Sequence, residues 1–400
     1  MNIFIGIRQI LQQSEDELLV LCKVEGTVCV GDELCIINCG EDEVDFPVIS
    51  VLGIESSPGE SVQGASDGIV ILRIEYGLDL SVRPGTVLTS QECTADDMPR
   101  VRKVYTQTLG DVYVAKRGLE IPHGELAELS LADCAEIWRL FMWFQSNVAK
   151  KDGETSLREN RDKLENLGKA MSEKLLGADS VYCVYNRITD EPHMISRTMR
   201  KDDSGYFCSP PHILLLADGY QAQAAISAFS EEKYEIKLIE NGEDGKGIES
   251  FLRDAFWLNG ACAAAVSTGQ TLISAEKLVP KPSFEGVPAQ NIPLTNSDLM
   301  RWMLLMAQMG KPETEDAKVI YSLYYRFFSK ELQTAKLLAA MNGEFGVPKD
   351  GYVVAQKGAT INLAVMQGKK DRPALRMYTD WKRLRAAHGT DYLNIIQVWH

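Results

Sequence analysis

Over the first ninety residues the apolar positions fall in short runs, several of them alternating with polar ones. IFIGIRQI, ELLVLCKVEG, ELCIINCG, FPVISVLGIE, GIVILRIE and GTVLTS carry the pattern of half-buried strands. Between them lie the turn sequences SED, VGD, SSPGES, GASDG and VRPG. In VEGTVCVGDELCII the hydrophobic pattern stops at Gly26, resumes, stops again at Gly31-Asp32, and resumes, predicting two tight breaks. Many short strands joined by Gly/Pro turns predict a small β-barrel or sandwich over residues 1–92, and the two tight breaks suggest the barrel.

The period then lengthens. In SLADCAEIWRLFMWFQSNVAKK, Ser130 followed by Asp133 has the form of a helix N-cap, and Leu131, Ala135, Trp138, Leu140, Phe141, Phe144 and Val148 form a helical apolar stripe. This helix belongs to a mixed connector over residues 93–156. LRENRDKLENLGKAMSEKLLGAD predicts a second helix. Strand and helix patterns then alternate: VYCVYN and PHMISRTM as strands, GYFCSPPHILLLADG extended, YQAQAAISAF helical, YEIKLI a strand, GIESFLRDAFWLNG a helix. ACAAAVSTG closes as a strand and TLISAEKLVPKP as a short helix. An α/β domain over residues 157–283 follows from this alternation. The proline-rich PKPSFEGVPAQNIPL marks a boundary, with a linker over 284–298.

Residues 299–400 repeat the preceding pattern. FFSKELQTAKLLAAMN lies over KAMSEKLLGADSVYCVYN, each an amphipathic helix that passes directly into a strand. GATINLAVMQGKKDRPALRMYTDWKRLRAAHG parallels MISRTMRKDDSGYFCSPPHILLLADGYQAQAAISAF, and YLNIIQV parallels YEIKLIE. The pattern predicts a duplicated domain in which nothing matches residues 247–279, so that either the second copy is shortened or the chain lacks residues of the full protein. The expected fold class is therefore multidomain α+β: an all-β barrel followed by two α/β domains.

Four hundred residues are enough for several cores. The net charge of −14 argues against nucleic-acid or anionic-membrane binding along the whole chain. The start, MNIFIGIRQILQQSEDE, has no secretory leader pattern, and Asp133, Glu136 and Arg139 disqualify residues 131–148 as a membrane span. Nine cysteines are scattered with no Cys-x-x-Cys pair, so they read as reduced thiols in a cytoplasmic protein.

Candidate chemistry is sparse. Gly-Lys occurs at residues 168, 245, 310 and 368, never within a phosphate-binding loop, so no nucleotide is expected. Gly64-Ala65-Ser66-Asp67-Gly68 matches a nucleophile elbow, but a strand follows it where a helix is required, so it reads as a barrel turn. His123-Gly124-Glu125 has no Pro-Cys-x-x-Cys partner, and Cys22, Cys29, Cys35 and Cys39 have no histidine within the barrel to complete a zinc site. His193 and His212, each after a proline, read as turn or edge-strand residues in preference to a metal pair. No metal, cofactor or catalytic residue is expected. What stands out is charge segregation near the C-terminus: Lys369, Lys370, Arg372, Arg376, Lys382, Arg383 and Arg385, interleaved with Tyr378 and Trp381. Such a segment suits an acidic protein surface, or RNA with the aromatics stacking on bases.

Two resemblances organise these features. The order V-x-x-G-D-E-L-C-I-I, then V-I-S-V-L-G-I-E, V-Q-G-A-S-D-G-I-V-I-L-R-I and V-R-P-G-T-V-L, over about residues 5–92, resembles the second domain of elongation factor Tu and related translation GTPases. The resemblance implies a barrel and says little of function. PALRMYTDWKRLRAA, with the helix before it, is similar to the SseB (enhanced serine sensitivity) family, and the outline EKLLGADSVYCVY…PPHILLLADGYQAQ resembles it more loosely, with Ala-Asp for Thr-Asp. Together the two copies would span about residues 157–400. The functional expectation is a non-enzymatic cytoplasmic adaptor that binds a protein partner. An RNA- or ribosome-associated factor is the alternative, and an enzyme of unknown type the third reading.

Overall fold

The computed structural model describes residues 3–40, 46–77, 80–91, 93–147, 158, 160–202, 205–228, 230, 232–267, 271–287, 292–343, 358–367, 373–389 and 393–398. Within them the chain is a mixed α+β protein that begins with an antiparallel sheet.

The N-terminal strands are β1 (Phe4–Gln13), β2 (Glu17–Cys29), β3 (Glu33–Ile37), β4 (Val48–Ser57), β5 (Glu60–Val62), β6 (Gly64–Glu75) and β7 (Val87–Ser90). Their order is β3-β7-β1-β2-β6-β4-β5, and β3 also pairs with β4, so the hydrogen-bonded neighbours form a closed circuit. Alternation along the strands sends Ile5, Ile7, Val20, Cys22, Leu72 and Ile74 inward, where they are buried together. One of the two expected breaks is a turn. Asp32 donates its backbone N–H to Cys29 O at 3.1 Å and accepts that of Cys29 on Oδ2 at 2.7 Å, while Gly31 takes φ +91°. The other is not. Strand β2 runs through Gly26, whose φ of +101° and N–H to Asp67 Oδ1 (2.8 Å) mark a bulge opposite Asp67 (φ +34°). GASDG is thus the bulged start of β6 and not a turn.

The connector is more than a link. Helix α1 (Met98–Leu109) continues into a π-helical stretch, Gly110–Lys116, followed by α2 (His123–Glu128) and α3 (Leu131–Asn147). As its sequence predicts, α3 starts with a capping box, Asp133 N–H to Ser130 Oγ at 3.1 Å and Ser130 N–H to Asp133 Oδ2 at 2.8 Å. Helix α1 lies so close on β1 that a Cβ at Gly6 would collide with Thr108 Oγ1. One apolar cluster runs from Phe4 and Ile37 through Val101, Tyr113 and Ile137 to Leu252, and on to Leu304.

The first α/β unit contains α4 (Arg161–Gly177), β8 (Ser180–Asn186), β9 (Glu191–Pro192), β10 (Met194–Ile195), β11 (Thr198–Asp202), β12 (Gly205–Cys208), β13 (His212–Leu216), α5 (Gly219–Ala228) and β14 (Tyr234–Glu240). Helix α6 (Gly247–Trp257), β15 (Ala263–Val266), β16 (Thr271–Ser274) and α7 (Ala275–Leu278) complete it. The sheet order is β14-β8-β13-β15-β16, antiparallel except for the β13–β15 pair. Thr271–Ser274 is a strand where a helix is expected, because it closes a hairpin with the alanine-rich β15. PHMISRTM breaks into three short strands, since β9 and β10 pair with different neighbours.

The last region holds α8 (Ser297–Met309), α9 (Glu315–Thr334), β17 (Lys336–Gly343), β18 (Ile361–Leu363), β19 (Val365–Gln367), β20 (Pro373–Leu375), β21 (Met377–Tyr378), α10 (Trp381–His388) and β22 (Leu393–Val398). Its central strand β17 pairs antiparallel with β18, β21 and β22, as β8 does with β9, β13 and β14. In each unit a helix leads into the central strand, a two-stranded hairpin stands off the sheet, and a strand then leads into a helix and an edge strand.

Candidate functional site

The basic segment was the one site the sequence offered, and the structure divides it. Lys369, Lys370 and Arg372 lie outside the described residues, in the stretch that joins β19 to β20. Tyr378 is buried, and its hydroxyl meets His388 Nε2 at 2.6 Å. Arg376 covers the Tyr378 ring at 5.4 Å, and Arg385 covers that of Trp381 at 5.8 Å. Trp381 itself packs against the cluster of Leu338, Ala340, Tyr378 and Leu384. Lys382 pairs with Asp254 of the first unit at 2.5 Å. Arg383 reaches Asp380, Glu191 and Asn259, each at 2.6 Å. Lys382 and Arg383 therefore hold the two α/β units together, and Tyr378 belongs to the core.

A second constellation was not visible in the sequence. Strands β13 and β15 run parallel, and helix α5 begins just beyond the C-terminal end of β13, the place where open α/β sheets bind ligands. Asp218 occupies that corner, 1% exposed, and caps α5 by accepting the Gln221 N–H at 2.7 Å. Arg102, from α1, reaches in to Asp218 Oδ1 at 3.0 Å while its guanidinium covers the Tyr220 ring at 4.2 Å. Between α1, α3, α5 and the strand ends lies a cleft of about 430 Å³. Leu214, Leu216, Ala224 and Ala225 supply its apolar wall, and Arg102, Glu136, Arg139, Gln221 and Ser267 its polar groups. Glu136 is engaged by Arg139 at 2.5 Å and by Thr106 Oγ1 at 2.9 Å.

Beneath this cleft Asp133 is paired with Arg83 at 2.8 Å and accepts the Tyr105 hydroxyl at 2.9 Å. Burial pushes the Tyr105 phenol well up, and the negative charge of Asp133 pushes it further. Burial also holds the Cys39 and Cys134 thiols up at about 12, so neither is a thiolate near neutral pH.

The remaining sequence candidates have structural roles. The His193 ring stands edge-on to Tyr234, centroids 4.7 Å apart, and burial pushes its pKa down to about 4. Burial lowers His212 as well. Glu125 of the His-x-Glu stretch binds the Tyr113 hydroxyl and Arg117. Among the described residues no group of three or more His, Cys, Asp or Glu is placed to hold a metal ion, and no helix is long and apolar enough to cross a membrane.

Both hairpins carry exposed apolar side chains. On β11–β12 the exposed side chains include Met199, Tyr206 and Phe207, with Met199 directly opposite Phe207. On β19–β20 they include Val365, Met366 and Leu375, with Val365 opposite Leu375. Arg200 and Lys201 accompany the first set, and the lysines and arginine at 369, 370 and 372 follow the second in sequence.

No protein-family model and no curated protein matches the chain. Among solved structures it has a weak likeness to translation elongation factor SelB from Methanococcus maripaludis in its apo form. The identity is 21% and the TM-score 0.20, over 23% of this chain and 20% of that one. The match thus spans about a fifth of the elongation factor's length.

Proposed function

We propose that the chain is a non-enzymatic adaptor that binds a protein partner through its two hairpins. The supporting observation is their equivalence: β11–β12 and β19–β20 leave their sheets at the same point of each unit, and each exposes several large apolar side chains. Paired apolar patches of this kind on a folded surface are a signature of partner binding. Neighbouring basic residues suit a partner whose apolar patch is edged with carboxylates. The chain's own charge of −14 disfavours RNA as that partner.

The same reading treats the closed strand circuit as a translation-factor-type barrel and the two α/β units as a duplicated SseB-type domain. The support is the Gly31-Asp32 turn between paired strands and the matching strand order of the two units. An intracellular setting agrees with nine thiols, none of them in a disulfide.

The test is recovery of a partner by the tagged chain, comparing wild type with a variant carrying Met199→Ser, Phe207→Ser, Val365→Ser and Leu375→Ser. A stoichiometric protein retained through nuclease treatment and lost in the variant supports the adaptor. Recovery abolished by nuclease or steeply weakened by salt transfers the case to the RNA- or ribosome-associated reading. Recovery unchanged in the variant removes the hairpins from the function.

A further inference from the structure

Three polar atoms around the cleft at the β13–α5 corner are buried and have no hydrogen-bond partner among the described residues: Ser267 Oγ, Gln221 Oε1 and Arg102 Nε. Buried polar groups are nearly always paired, and leaving one bare costs roughly 1–3 kcal/mol. Three around one cleft therefore need an explanation. Ser267 is the sharpest case. It is 5% exposed, and its φ of +55° is a left-handed conformation that glycine would adopt without strain. Its backbone is fixed there because its N–H donates to Leu215 O at 2.8 Å, extending the parallel ladder. A serine at this position brings both strain and an unsatisfied hydroxyl, and the fold gains nothing from either. Such costs gather where a ligand is bound.

The other two atoms are presented by a fixed frame. Gln221 Nε2 donates to Asp218 Oδ2 at 2.9 Å, which leaves Oε1 as the amide's remaining acceptor. Arg102 is held by Asp218 and by the face of Tyr220, leaving its Nε–H as a donor. The cleft thus supplies one donor, one acceptor and one hydroxyl that can act as either. The charges around it cancel in pairs, Arg102 with Asp218 and Arg139 with Glu136. An ion entering the cleft would lose its hydration and find no uncompensated counter-charge.

We propose that this cleft binds a small uncharged ring compound through a carboxamide or lactam edge. The amide N–H of the ligand meets Gln221 Oε1, its carbonyl accepts from Arg102 Nε and Ser267 Oγ, and its ring lies against Leu214, Leu216, Ala224 and Ala225. A cleft of about 430 Å³ is of the size that holds such ligands.

Three probes that share one ring and differ in charge test this: benzamide, benzoate and benzylamine, followed by ligand-observed NMR and by the shift in Tm of the full chain. Benzamide is expected to bind and to raise Tm, with benzoate and benzylamine at least about tenfold weaker, the cost of burying an unpaired charge. Ser267→Gly is expected to fold with an unchanged or higher Tm, because it relieves φ +55°, and to bind benzamide about fivefold more weakly for one lost hydrogen bond. Ala225→Phe, which fills the cleft, is expected to abolish binding. Absence of benzamide binding, equal binding of the three probes, or full affinity in both variants would each overturn the proposal.

Discussion

The two α/β units build the same corner with arginines from different places. In each, an aspartate 1% exposed follows the strand beside the central one and caps the next helix: Asp218 before α5, Asp380 before α10. Asp380 is neutralised by Arg383, three residues along its own helix, which then continues to Glu191 and Asn259. Asp218 is neutralised by Arg102, from a helix 116 residues earlier. A local arginine fills its corner. A distant one bridges its corner and leaves a cleft beside it. Two things separate the units: among the described residues the second has no counterpart of the parallel strand β15, and the first lies under α1 and α3 while the second has a small core around Leu338, Ala340, Tyr378 and Leu384.

This contrast can be broken at several points. Asp218→Ala removes a cap and leaves Arg102 facing a buried gap, so it should cost about 3 kcal/mol, while Asp380→Ala, whose Arg383 keeps Glu191 and Asn259, should cost about half as much. Urea unfolding of the two variants decides; equal losses would mean that the corners are energetically alike. At the junction between the units, Gly260 takes φ +84° and lies against the Ser297 carbonyl, while Arg301 Nε donates to Gly260 O at 2.6 Å. Gly260→Ala should therefore push α8 away and cost about 2 kcal/mol, visible as faster amide exchange in α8.

Acidification should weaken the first unit selectively. His193 titrates at about 4 in the folded chain against an ordinary value of 6.5, so between those pH values the unfolded chain binds the extra proton. Stability is then full above about pH 6.5 and lost as pH falls toward 4, by up to about 3 kcal/mol, with His212 acting in the same direction. Stability against pH for His193→Gln should show a flatter acid limb. The smallest effect is expected at the clamp. Lys382→Ala, which breaks the largely exposed pair with Asp254, should cost about 0.5 kcal/mol and separate the second unit's unfolding from the first's in calorimetry. A single unchanged transition would show that Lys382 does not couple them.

The sequence carried the parts of this fold that local chemistry decides. Alternation located the N-terminal strands, and Ser130 and Asp133 marked the start of α3. It misread Gly26 and GASDG as turns because a glycine at positive φ serves a bulge as well as a turn, and only strand pairing tells them apart. It misread Thr271–Ser274 because four residues are too few to show a period. The cleft was invisible for a different reason. Asp218 before a helix is a local cap signal, but nothing near Arg102 in the chain indicates that it ends there, and Ser267 is unremarkable until its φ is known. The basic residues at 382 and 383 were conspicuous in composition, yet their partners, Asp254 and Glu191, lie more than a hundred residues away.

The apolar cluster that runs from Phe4 through the connector helices to Leu304 has a consequence for how such a chain can change over generations. The changes of pattern in the sequence near residues 92 and 156 look like seams along which pieces could be exchanged. Yet Ile37 of the first sheet, Val101 of α1 and Leu252 of the first α/β unit share one interior. Recombination at those seams would part side chains that depend on one another to stay dry. Exchanging one of these segments without the others should therefore cost the packing of this shared interior.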